Sequence, residues 1–225
     1  MDDELLWISR TLATTVARTP TIQVLWRGYG ELYRIQLGDG RSAIVKSVRP
    51  PPHPEGDHAH RRKCRSYDVE LTWYRRWASS CAVRIPRLLA AESRDERWLF
   101  VLEDLDAAGY AGRTRSPNDQ QIDQCLEWLA GFHAHHLGVE PTGLWERGTY
   151  WDLEKRPDEL RALKDAGLRS SAPVLDARLR ECEFQTLVHG DAKLANFCFG
   201  KQGVAAVDFQ WTCRGVGVCD VAYFL

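Results

Sequence analysis

The chain has 225 residues, 44% hydrophobic and 27% charged, with a formal net charge of −1. That balance excludes a disordered chain, and the near-zero charge gives no electrostatic reason for nucleic acid or an anionic membrane as main partner. There is no run of about 18 apolar residues, and Met1-Asp2-Asp3-Glu4 is an acidic start unlike a signal peptide, so a cytoplasmic protein is expected.

In chain order, Leu5, Leu6, Ile8, Leu12 and Val16 predict an amphipathic helix over residues 4 to 19, closed by Thr19-Pro20. Strand-like runs follow at 22–26, 32–37 and 42–46, separated by glycine turns at 27–30 and 38–40, which predicts a three-stranded antiparallel meander. Gly28 and Gly30 in the first turn allow backbone amides to approach a phosphate, although a plain tight turn accounts for them as well. Lys46 leaves an apolar strand and therefore needs an anion, either a nucleotide phosphate or a carboxylate. The proline-rich stretch 49–60 reads as a loop, with His53, His58 and His60 exposed on it.

Arg61, Arg62, Lys63 and Arg65 open a helix running through Tyr67, Glu70, Leu71, Tyr74 and Trp77, and these four basic residues read as a solvated face. Glu70 lies beside the apolar stripe of that helix, which makes it the expected partner of Lys46. Two more strands are predicted at 86–91 and 98–103. Residues 104–117, with Gly109 and Gly112, read as a linker between a first unit (1–103) and a second (118–225). Backbone near Glu103 and Leu105 is where an adenine would take hydrogen bonds. A helix from Ser116 to Gly138 carries His133 on its apolar side as a core histidine, and further helices are expected near 157–166 and 173–182. The seven cysteines are scattered without a C-x-x-C pair, predicting reduced thiols rather than disulfides or zinc.

The most informative stretch is His189-Gly190-Asp191-Ala192-Lys193-Leu194-Ala195-Asn196, followed by Asp208-Phe209-Gln210. Asp191 and Asp208 each leave a short apolar run, so buried strands deliver two carboxylates and an amide to their ends. Phosphoryl transfer needs that set: a base for the attacking hydroxyl, Asp191, and oxygen ligands for Mg²⁺, Asn196 and Asp208.

Taken with Gly28, Gly30, Lys46 and Glu70, these motifs resemble the aminoglycoside phosphotransferase and choline kinase superfamily, and within it the ecdysteroid-kinase-like (CHK kinase-like) group. The resemblance implies an α+β, protein-kinase-like two-lobe fold: a small antiparallel sheet with one key helix, then a mainly helical lobe. It further implies that Lys46 contacts the α/β phosphates and is held by Glu70, and that Lys193 lies near the γ phosphate. His189 would pack beneath the loop, and Asp220 would brace it. ATP and Mg²⁺ are the implied cofactors, and a small-molecule hydroxyl is the implied acceptor. Gly190 and Gln210 stand where protein kinases have Arg and Gly, and no activation segment fits between Asp208 and Asp220, which disfavours a protein substrate. Members of the superfamily continue through further helices, so the chain is expected to be C-terminally shortened. The alternative expectation is therefore a non-catalytic nucleotide-binding module. Trp151, Trp211 and Tyr223 suit either an aromatic wall for a cationic acceptor or core packing.

Overall fold

The computed structural model describes residues 3–52, 58–147, 152–154 and 156–225. Helix α1 (Asp3–Leu12) is followed by strands β1 (Val16–Val24), β2 (Gly30–Leu37) and β3 (Ser42–Val48). After α2 (His58–Thr72) come β4 (Leu88–Arg94) and β5 (Arg97–Glu103), all five strands forming one antiparallel sheet in the order β1-β2-β3-β5-β4. The meander and the later hairpin are thus one sheet, joined where Lys46 of β3 faces Phe100 of β5. Beyond it lie α3 (Asp119–His135), α4 (Pro157–Ala162), α5 (Ala166–Glu181), β6 (Thr186–Val188), β7 (Phe197–Gly200), β8 (Gly203–Ala206), β9 (Cys213–Gly215) and α6 (Val218–Phe224).

The period-2 geometry of the strands sorts the sheet into two faces. Ala43 and Val45 of β3, Leu99 and Val101 of β5, and Tyr33 and Ile35 of β2 pack under α1 around Ile8. Phe100 and Leu102 point the other way, into a core with Tyr67, Trp73, Phe132, Phe197 and Phe209. Lys46 alternates with Val45 and so is delivered to this second face.

Three expectations need correction. The opening helix stops at Leu12 rather than running to residue 19: Ala13 turns to φ 51°, and Thr19-Pro20 lies inside β1. Pro20 is accommodated because β1 is the edge strand and its pairing with β2 slips between Arg18 and Thr21. Helix α2 begins at His58, before the basic cluster. The helix expected from Pro173 begins at Ala166, where the Asp165 side chain accepts the Leu168 N–H at 2.9 Å; that cap outweighs the proline, which sits inside the helix.

Helix α2 runs on into a π-turn, Trp73–Trp77. Trp73, fully buried, stacks on Phe209 with centroids 4.6 Å apart, tying this helix to the loop that follows β8. None of the seven cysteines forms a disulfide. Among the described residues no helix is long and apolar enough to cross a membrane.

Candidate active site

A cleft of about 750 Å³ opens between the second face of the sheet and the helical half. Lys46, Glu70, Asp191, Lys193, Asn196 and Asp208 all line it, so the cleft gathers residues from β3, α2 and the segments flanking β7 and β8.

The hairpin β7–β8 explains how Asn196 and Asp208 meet. Phe197 faces Ala206, and the next step of the ladder is a hydrogen bond from the Val207 N–H to the Asn196 carbonyl at 2.9 Å. Asn196 therefore enters the hairpin where Asp208 leaves it. Asp208 has φ 71°, an uncommon left-handed value for a non-glycine residue.

Lys46 is buried, donating to Glu70 at 2.7 Å and to Asp208 at 3.1 Å. Burial works against its charge, but the Asp208 and Glu70 carboxylates outweigh it and raise the ammonium pKa. Burial likewise opposes ionisation of Asp208; the ammonium groups of Lys46 and Lys63 overcome it and hold that carboxyl down at about 2. Glu70 is fully buried, and burial pushes its pKa up against the pull of Lys46.

The Asp191 loop hangs between β6 and Asp220. Asp220 accepts the backbone N–H of His189 at 2.7 Å and of Gly190 at 2.9 Å, and contacts His133 Nε2 at 2.9 Å. His189 Nδ1 accepts the Asp191 N–H at 3.3 Å, so the proton lies on Nε2, which donates to the Val207 carbonyl at 3.0 Å. Gly190 has φ 80°, and a β-carbon there would lie 2.2 Å from the Trp211 carbonyl oxygen, which is why no side chain stands between His189 and Asp191.

Asp191 is itself buried. Its Oδ2 accepts from Lys193 at 2.7 Å and Asn196 Nδ2 at 3.2 Å, while its buried Oδ1 has no hydrogen-bond partner among the described residues. Because Asn196 uses its amide N–H₂ on Asp191, its Oδ1 is left over, as is Asp208 Oδ2; neither accepts a hydrogen bond among the described residues. Among the same residues no group of three or more His, Cys, Asp and Glu could hold a metal unaided. Two spare hard oxygens do suit an ion such as Mg²⁺ that takes its remaining ligands from phosphates and water.

Other sequence-selected residues fall differently. Gly28 and Gly30 do not line the cleft; Leu25 and Trp26 of that turn do. Gly30 answers a packing demand, since a β-carbon there would lie 2.0 Å from the Ser47 carbonyl oxygen, whereas the space at Gly28 is open. Glu103 and Leu105 line the cleft, but the Glu103 carboxylate is engaged by Arg84 at 2.8 and 2.9 Å, and its N–H donates to the Arg87 carbonyl. Leu105 donates no backbone hydrogen bond among the described residues. Trp211 lines the cleft while stacked on Trp145 at 5.5 Å, Tyr223 lines it too, and Trp151 lies outside the described residues.

Sequence reading missed Arg34 and misplaced Lys63. Arg34 Nε donates to Asp104 at 2.6 Å and its Nη2 to Asp106 at 2.8 Å, tying β2 to the chain leaving β5. Arg62 and Lys63 belong to the cleft wall, not to a solvated face. Lys63 Nζ donates to Gln210 Oε1 at 2.6 Å, and burial pushes its pKa down to about 8. The signal was present: Lys63, Tyr67 and Glu70 are spaced i, i+4, i+7, one face of a helix.

A small antiparallel sheet above a helical half, with a buried Lys–Glu pair and two acidic loops meeting in the cleft, defines a kinase-like phosphotransferase fold. The chain belongs to the phosphotransferase enzyme family, whose sequence model matches residues 21–225. Similar solved structures include an amicoumacin kinase in complex with AMP-PNP, Ca²⁺ and Ami (TM-score 0.66, 16% identity, covering 100% of this chain and 68% of that one). An aminoglycoside-3′-phosphotransferase of type VIII gives TM-score 0.56 at 18% identity, over 99% of this chain and 81% of that one. A macrolide 2′-phosphotransferase from Brachybacterium faecium gives 0.59 at 15%, over 98% and 76%. No curated protein matches the sequence.

Proposed function

We propose that the chain is an ATP-dependent kinase that transfers the γ-phosphate to a hydroxyl of a small molecule. The observation that carries this reading is Asp191: a buried carboxylate lining the cleft, with one oxygen held by Lys193 and Asn196 and the other, Oδ1, without a hydrogen-bond partner among the described residues. The Asp191 carboxylate lines the cleft, where it orients the acceptor hydroxyl and receives its proton as the new O–P bond forms and the bond from the γ-phosphorus to the departing ADP breaks.

The other residues take complementary parts. Lys46, fixed by Glu70, presents its charge to the α/β phosphates, and Lys193 is placed beside Asp191 to offset charge on the γ phosphate. Asn196 Oδ1 and Asp208 Oδ2 are the ligands for Mg²⁺, which when bound neutralises phosphate charge. His189 and Asp220 hold the loop. The Leu105 N–H, with residues 104–117 acting as a hinge between units 1–103 and 118–225, is the donor for an adenine ring. Trp211 and Tyr223 border the acceptor side, and Asp208-Phe209-Gln210 supports an ecdysteroid-kinase-like (CHK kinase-like) affinity.

The test is ATP consumption by the purified chain with Mg²⁺ across a panel of aminoglycosides, macrolides, amino alcohols and sterols. Acceptor-dependent consumption is the expected result. Binding of Mg-ATP with no consumption for any acceptor would overturn the kinase reading and leave a non-catalytic nucleotide-binding module.

A further inference from the structure

Lys63 stands on α2 two turns before Glu70 and on the same face, so its side chain enters the cleft beside the Lys46–Glu70 pair. Its hydrogen bond goes to a neutral amide, Gln210 Oε1, at 2.6 Å, and it lies 4.7 Å from the centroid of the Tyr67 ring. No carboxylate pairs with it at ion-pair distance among the described residues. Lys46 is different, since Glu70 and Asp208 stand at ion-pair distance from it. Gln210 is buried and receives a second hydrogen bond from Ser66 Oγ at 3.2 Å, so the oxygen that positions Lys63 is itself fixed.

A part-buried ammonium held in place by an amide, facing a cleft, and with no carboxylate at ion-pair distance among the described residues is placed to take an anion that arrives from outside. Lys63 lines the same cleft as Asp208, Asn196 and Asp191, so an anion bound between the metal-binding and acceptor ends lies on the surface that Lys63 shares with them. We propose that Lys63 is a second phosphate-binding lysine of this cleft, taking an oxygen of the nucleotide's terminal phosphate, with Gln210 as the residue that positions it. This rests on the nucleotide reading of the cleft given above. It assigns a use to Gln210, which stands where protein kinases have glycine and where a side chain is needed to reach α2.

The experiment is a titration of ATP and of ADP, each with Mg²⁺, into the full chain and into Lys63→Met and Lys63→Arg, read by calorimetry. In Lys63→Met the affinity for ATP is expected to fall about tenfold or more, with ADP affected less than about twofold, because the lost bond is charge-assisted and made to the terminal phosphate. Lys63→Arg, which keeps the charge, is expected to retain most of the preference for ATP, a rescue that a purely structural role would not produce. Equal loss for ATP and ADP, or no loss for either, would overturn the assignment while leaving the nucleotide site intact. Failure of the unsubstituted chain to bind either nucleotide would overturn the cleft reading itself and this proposal with it. Should Lys63→Met not fold, as judged by its unfolding transition, Lys63→Gln is read by the same criteria.

Discussion

Asp220 lies 30 residues beyond Gly190, yet its carboxylate accepts the Gly190 N–H at 2.9 Å, with the neighbouring His189 N–H bound to the other oxygen at 2.7 Å. The start of α6 thereby holds the loop that carries Asp191. Replacing Asp220 with Ala leaves two buried N–H groups unpaired and is expected to cost about 3 kcal/mol, with Asp220→Asn costing less because one acceptor oxygen survives. Urea unfolding of the two variants checks the order; equal losses would mean that the backbone bonds are not what Asp220 contributes.

Glycines with similar backbone angles differ in what surrounds them. Gly190→Ala must push a β-carbon into the Trp211 carbonyl and is expected to destabilise the chain by more than about 2 kcal/mol, beyond the left-handed strain alone. Gly28→Ala meets open space and is expected to cost only that strain, about 1 kcal/mol. Thermal unfolding of both variants provides the comparison, and a milder effect at Gly190 than at Gly28 would contradict it.

For Asp191→Asn, turnover with a responding acceptor is expected to fall by about 10²- to 10⁴-fold, the usual contribution of a placed base, while Mg-ATP binding is kept. Unchanged turnover would remove Asp191 from the proton-transfer step.

The pH dependence of stability follows from Asp208. Its folded pKa, about 2, lies below its ordinary value of 3.8, so its contribution is fully present above the ordinary value and is lost as pH falls toward 2. Asp208→Asn removes that titration. Between pH 5 and pH 2 the original chain is expected to lose more stability than the variant, measured by urea unfolding at each pH; parallel curves would show that the Lys46 and Lys63 charges do not hold Asp208 ionised.

Much of the site was legible in the sequence because its parts are local. His189 through Asn196 and Asp208 through Gln210 are short runs in which strand ends, turn residues and chemistry are neighbours along the chain. Lys46 and Glu70 could be paired from periodicity, one at the end of an apolar strand and the other beside an apolar helical stripe, and the structure brings them to 2.7 Å. Helix and strand types were mostly readable for the same reason, the exceptions being elements whose ends depend on neighbours: Pro20 is tolerated only because β1 is an edge, and α5 starts at the Asp165 cap rather than at Pro173.

What only the tertiary structure decided is where polar side chains meet partners far away in the chain. Lys63 reads as one more basic residue on a wet helix until the loop after β8 brings Gln210 to 2.6 Å from it. Gly30 reads as a phosphate-turn or a plain-turn glycine, and only the fold shows β3 passing too close for a β-carbon there; nor does the local sequence show that Arg84 binds the Glu103 carboxylate. Sequence determined which groups the cleft has at its disposal, because strand alternation and helical period are properties of local backbone geometry. Which of those groups are paired, and with what, was decided by tertiary contacts, from Arg84 with Glu103, 19 positions apart, to Lys46 with Asp208, 162 positions apart, and no local pattern encodes those.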